Sequence, residues 1–177
     1  MKRVFMLVPM LAAVALMAGC ELSRDFVVTV QKEFTVNYNS TAISKIELID
    51  GTTYSDDLEK YAADLKSVDV TRVTYTVTYF NGTNTQEITS AVLSVGPSAG
   101  SDFTTLASMS HVNLMSVAAI EKELEYDKAG ENVLEDGLLG DGHSFQMKFT
   151  GTANQAPLNF KIKFKIVCKV KYEKKLI

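Results

Sequence analysis

The sequence predicts a mainly β fold: an antiparallel sandwich of about seven strands with two or three short helices. Three observations carry this. Long stretches alternate apolar and polar residues with period two, the pattern of a strand with one buried face. Turn-forming residues punctuate the stretches. The strands keep polar outer faces, unlike the near-continuous apolar strands of a parallel α/β sheet.

The elements follow in order. Phe26, Val28, Val30, Phe34, Val36 and Tyr38 alternate with Thr29, Gln31, Glu33, Thr35 and Asn37, giving one long strand or two collinear ones. Residues 43–49 form a weaker strand candidate. Leu58, Tyr61, Ala62 and Leu65 have helical spacing, with Asp56 and Glu59 placed as a capping box. Val68 and Val70 precede Val73, Tyr75, Val77 and Tyr79 in the opposite phase, so a bulge is expected near Thr71-Arg72. Asn81-Gly82 is a strong turn signal, and residues 68–95 therefore read as a β-hairpin. A second helix is expected over 117–128, with Ile120 and Leu124 on one face and Gly130 as its stop. A short third helix spans 131–138 and ends in the turn region Gly137 to Gly142. Phe145, Met147 and Phe149 mark another strand. The cleanest alternation runs from Phe160 through Ile162, Phe164, Ile166, Cys168 and Val170 to Tyr172.

Paired strands of this kind suit an immunoglobulin-like sandwich. The two longest runs exceed the usual strand length of about 3–10 residues. They keep a second architecture open, a long curved antiparallel sheet wrapped around a helix.

Charge is unevenly spread. Residues 161–177 hold seven lysines against Glu173, whereas residues 21–160 hold nine basic and twenty acidic groups. An acidic body argues against general nucleic-acid binding, which needs a basic face. Lys161, Lys163, Lys165, Lys169 and Lys171 project from one face of one strand as a possible site for an anionic partner. Three explanations compete: an edge strand protected by lysines, neutralisation by a neighbouring strand, or docking on anionic lipid or acidic protein.

Other candidate chemistry is sparse. Gly96-Pro97-Ser98-Ala99-Gly100 matches the G-x-S-x-G elbow of serine hydrolases, and Asp136 and His143 follow in hydrolase order. The strands before it look antiparallel, and Gly, Pro, Ser and Ala also make plain turns. His111 and His143 lack zinc-ligand spacing. The aspartates near Gly142 lack the regular spacing of a calcium loop. No phosphate-binding or dinucleotide motif is present. No catalytic residue, metal or cofactor is expected, and Cys168 is expected to be buried.

The first twenty residues have their own character. Met1-Lys2-Arg3 precedes an apolar run from Val4 to Met17, too short to span a bilayer core of about 30 Å as a helix. Met17-Ala18-Gly19-Cys20 resembles the lipobox of bacterial lipoprotein precursors, with Met17 where Leu is usual. The resemblance covers residues 1–20 alone. It implies a signal over 1–19 and diacylglyceryl attachment at Cys20. Length and patterning then give a short tether to residue 25 and a single β-rich domain over 26–177. Glu21, where Asp would signal inner-membrane retention, favours the outer membrane.

The expected function is accordingly a lipid-anchored, non-catalytic envelope module that binds or assembles with a protein, and does not act on nucleic acid. A carrier or sensor of an apolar ligand such as a lipid is the alternative, with Phe145, Phe149, Phe160, Phe164 and Tyr172 lining its cavity. An esterase using Ser98 comes third.

Overall fold

A computed structural model describes residues 21–175 of the chain. Cys20 and the lipobox lie outside the described residues. Eight strands are present: β1 (Glu21–Tyr38), β2 (Ala42–Asp50), β3 (Leu65–Phe80), β4 (Glu87–Pro97), β5 (Thr104–Asn113), β6 (Lys122–Leu124), β7 (Ser144–Ala153) and β8 (Leu158–Lys175). Two helices join them, α1 (Asp56–Lys60) and α2 (Lys128–Leu139). The strands form two four-stranded antiparallel sheets, ordered β1-β8-β3-β6 and β2-β7-β4-β5.

The long alternations behave as expected. β1 and β8 pair without a register break from Glu21↔Lys175 to Tyr38↔Leu158. Their even-numbered residues Val28, Val30, Phe34, Ile162, Phe164, Ile166 and Cys168 are fully buried. Residues 21–25, read above as a tether, already belong to β1. The bulge near Thr71-Arg72 is present, as a register shift between Val70 and Arg72 where β3 pairs with β8.

The two antiparallel sheets bear out the expected mainly β sandwich, and their strand order refines its topology. An immunoglobulin sandwich keeps several sequence neighbours side by side within a sheet. Here successive strands alternate between sheets, and β4–β5 is the only consecutive pair that shares one. Pairings β1–β8, β2–β7, β3–β6 and β4–β5 are nested. The chain is thus one long folded ribbon, joined on itself by β8–β3 and β7–β4. Eight strands in this order make a jelly roll.

The same crossings overturn the expected hairpin over 68–95. Asn81-Gly82 does turn the chain, but β3 and β4 leave it into different sheets. Buried Gln86 fixes the crossing, its Nε2 donating to the carbonyls of Gln155 and Pro157 at 3.2 and 2.8 Å. The helix expected over 117–128 is absent as well. The main chain there joins β3: the Ala119 N–H donates to the Val77 carbonyl at 2.9 Å, and β6 aligns Leu124 with Val73. Ile120, placed on the apolar face of that helix, is exposed. The alternative of a sheet wrapped around a helix is not observed.

α2 instead closes one side of the sandwich. β6 covers only Val73–Tyr75, so the first half of β3 lacks a strand on that side. Side chains replace it: Glu131 Oε1 accepts from the Val70 N–H at 3.1 Å, and Glu135 Oε1 accepts from the Val68 N–H at 3.2 Å. The Tyr126 hydroxyl donates to the Val70 carbonyl at 2.6 Å. Gly130 brings α2 against β5 so closely that a Cβ there would sit 2.3 Å from the Thr105 carbonyl oxygen.

A cleft between the second helix and the β4–β5 loop

The lysine row lies on an inner strand, because β8 has β1 on one side and β3 on the other. Protection of an edge therefore does not explain it. Neighbouring chain supplies the counter-charges: Lys161–Glu33 at 3.4 Å, Lys165–Glu121 at 3.2 Å and Lys169–Asp25 at 2.7 Å. Lys171 pairs with Glu173 of its own strand at 2.8 Å. Hydrogen bonds lower the two glutamates' pKa values, from Thr78 and then Lys161 for Glu33, and from Thr74 and then Lys165 for Glu121. Lys163 has no ion pair within 4.0 Å among the described residues. Five aligned cations at register positions along one strand are tolerable because acidic groups on both flanks offset them.

The aromatic side chains expected to line a lipid cavity are packed against one another instead. Phe145, Phe149, Phe160 and Phe164 have no exposed surface, and Phe149 packs on Phe164 with ring centroids 5.2 Å apart. Tyr172 stacks on Tyr61 at 4.0 Å. These aromatics fill the core. Cys168 is buried too, and desolvation, with a smaller contribution from the Glu131 carboxylate, pushes its thiol up to about 12. A thiol held neutral in this way is a poor nucleophile at physiological pH.

The hydrolase-like motif does not assemble as a triad. Ser98 is exposed on the loop between β4 and β5, beyond the end of an antiparallel strand. His143 is buried, and its Nδ1–H donates to the Leu138 carbonyl at 2.7 Å. That bond serves a carbonyl in the last turn of α2, where no further helical N–H follows. His143 thus closes the helix end, and its own carbonyl accepts from the Gly51 N–H at 2.7 Å. No hydrogen bond joins Ser98, Asp136 and His143 among the described residues. His111 is exposed, with Nδ1 2.8 Å from Glu87 Oε1. No group of three metal-ligating side chains occurs among the described residues.

Two of the three motif residues do share a place. Ser98 and Asp136 line a cleft of about 390 Å³ between the β4–β5 loop and the C-terminal half of α2. Pro97, Asp102 and Thr104 complete the loop wall; Val133, Gly137, Gly140 and Asp141 belong to the opposite wall, and Ser144 lies at its end. Gln146 braces the loop, with Nε2 donating to the Pro97 and Gly100 carbonyls at 2.9 and 3.3 Å. Lys148 is held nearby over the Phe103 ring, 4.9 Å from its centroid. Gly137 seats the helix, since a Cβ there would come within 2.7 Å of Phe145 Cβ.

The lining is rich in hydrogen-bond acceptors, with three carboxylates and three hydroxyls over an apolar patch of Pro97 and Val133. It includes no Lys, Arg or His. Sequence reasoning singled out Ser98 and Asp136, weighed Asp141 with Asp136 only as calcium ligands, and missed Asp102 and Ser144. The available signal was the pair of glycine-rich turns, Gly96–Gly100 and Gly137–Gly142, which converge here.

No protein-family profile matches the chain, and no curated protein is similar to it. Viral structures are similar in fold. Desmodium yellow mottle tymovirus matches with TM-score 0.40 and 11% identity, over 99% of this chain and 97% of that one. A decameric BFDV capsid protein matches with TM-score 0.42 and 10% identity, over 85% and 99%. Turnip yellow mosaic virus matches with TM-score 0.33 and 8% identity, over 87% and 97%.

Likenesses of this depth assign no function to the chain. They nevertheless lie with viruses and away from the bacterial envelope, against the sequence reading, and the expectations that depended on that setting are corrected. The outer-membrane location and the envelope protein-binding module are set aside, together with the lipid carrier and the Ser98 esterase. The membrane and envelope-protein partners go with them. So does the exclusion of nucleic acid, which rested on the acidic composition alone.

Proposed function

We propose that this chain is a non-catalytic module that binds a small hydroxyl-rich molecule of the saccharide class in the cleft beside α2. The lining of that cleft carries the reading: Asp102, Asp136 and Asp141 offer acceptors, with no basic side chain among the lining residues. A sugar donates hydroxyl hydrogens to such carboxylates and lays its C–H face on an apolar patch like that of Pro97 and Val133. A few polar groups convergent on a partly apolar cleft is the usual form of a small-molecule site. Jelly rolls also include lectin domains, which supports the reading by fold analogy alone.

Screening immobilised saccharides, followed by calorimetric titration of the best ligand, tests it. Asp136→Asn removes a charged acceptor and is expected to weaken binding by about 10–100-fold. Absence of any saccharide binding overturns the proposal. So does an affinity unchanged in both Asp136→Asn and Asp141→Asn.

We propose separately that residues 1–19 are removed and Cys20 is acylated, supported by Met17-Ala18-Gly19-Cys20. This concerns covalent processing and is independent of the ligand. The intact mass of protein made in a bacterial host is expected to start at Cys20 with added acyl mass, and to lose that addition in Cys20→Ser. A product cut after Ala15, or one retaining Met1, contradicts it.

A further inference from the structure

We propose that the free edge of β2 pairs with the same edge of a second copy of this chain, antiparallel and centred on Ile46. β2 hydrogen-bonds to β7 on one side and to no strand among the described residues on the other. Its backbone shows which groups remain available. The Thr41 carbonyl, just before the strand, accepts from Ala153 at the end of β7, so odd-numbered residues face β7. The Ser44 carbonyl faces the opposite way and accepts the Tyr38 hydroxyl at 2.7 Å. Ala42, Ile46, Leu48 and Asp50 therefore present their N–H and C=O groups along the open edge, and Ser44 presents its N–H beside a carbonyl that already holds the Tyr38 hydroxyl.

The strand is self-complementary in that register. Centring an antiparallel pair on Ile46 makes Ile46 face its own counterpart and Ser44 face Leu48 of the second copy, all residues whose backbone groups point outward. Between them Lys45 faces Glu47 of the second copy, and Glu47 faces its Lys45. Ile43 faces Ile49. Opposite charges directly across a ladder stabilise it, and like charges oppose it. Moving the centre by one residue puts Lys45 opposite itself or Glu47 opposite itself, and moving it by two loses both opposite-charge pairs, so charge favours the Ile46 centre.

The side chains on the outer surface suit the same occupant. Ile46 is 49% exposed and Leu48 59% exposed, and the pairing brings these apolar groups of two copies together across one two-fold axis. β1, the long edge strand of the other sheet, lacks this property. A pair centred on its Thr29 sets Asp25 opposite Glu33. Within one copy Glu47 pairs with Lys32 at 3.0 Å, and Lys45 lies over the Tyr38 ring. Inward charges on an edge strand also serve to block pairing, and that role predicts a monomer.

Native mass spectrometry of the full-length chain, released from mild detergent across a concentration series, separates the two. A dimer is expected. Lys45→Glu alone and Glu47→Lys alone each set like charges across the ladder and are expected to weaken it by about tenfold or more. The double exchange Lys45→Glu with Glu47→Lys restores opposite charges and the dimer, and circular dichroism checks that each variant keeps its strands. A monomeric parent chain overturns the proposal, as does a dimer equally strong in both single variants.

Discussion

Phe164→Ala is expected to lower the unfolding free energy by about 3–5 kcal/mol, the range for deleting a buried phenylalanine. Phe164 has no exposed surface and stands where the two sheets meet. Its ring is edge-on to Phe34 of the neighbouring β1 at 5.9 Å, and 5.2 Å from Phe149 of the opposing sheet. Phe34 and Phe149 themselves meet at 5.9 Å. Removing this ring opens a void that the flanking β1, paired with β8 without a break, is poorly placed to collapse into. Urea denaturation followed by circular dichroism measures the loss. A change below about 1.5 kcal/mol, the scale of a tolerated hydrophobic swap, shows instead that the neighbouring aromatics refill the space.

Glu131→Ala is expected to cost about 2–4 kcal/mol, from a lost charge-assisted hydrogen bond and a buried N–H left without an acceptor. Glu131 is 4% exposed, and its Oε1 receives both the Val70 N–H and Lys128 Nζ, at 3.1 and 3.0 Å. Glu131→Gln retains an amide oxygen for Val70 and loses only the charge, so it should be the milder change. Hydrogen exchange at Val70 adds a local readout, since the alanine variant exposes that N–H to solvent. The same substitution removes the carboxylate that helps hold the Cys168 thiol up at about 12. Equal stability of the alanine variant and the parent chain contradicts the role given to Glu131.

Particular residues show what could be read from the chain. Burial on alternate positions announces a strand wherever one face is wet, which is why β1, β3, β7 and β8 were legible, together with the phase change at Thr71-Arg72. Strand order was not legible, because pairing of residue 21 with residue 175 leaves no local mark. Asn81-Gly82 specifies a reversal but not whether the next strand stays in the same sheet. The acidic stretch around Glu121 and Glu123 has spacing that serves a helix or a short strand, and contact with β3 decided for the strand. Of the cleft, Ser98 and Asp136 were visible through a motif associated with other chemistry. The second helix then turned His143 away from them.

The nested pairing also sets a kinetic demand on the chain. Only β4 and β5 find each other across a short connection; in the nested series, each of β3–β6, β2–β7 and β1–β8 encloses the one before it. The outermost, β1 with β8, closes a loop of almost the whole described length before β1 gains a strand partner. Chains dominated by such distant pairings fold slowly, in milliseconds to seconds or beyond. Until β8 arrives, β1 and β3 lie on either side of an empty lane with their apolar faces uncovered. The last strand to be made is therefore the one on which the whole first sheet waits.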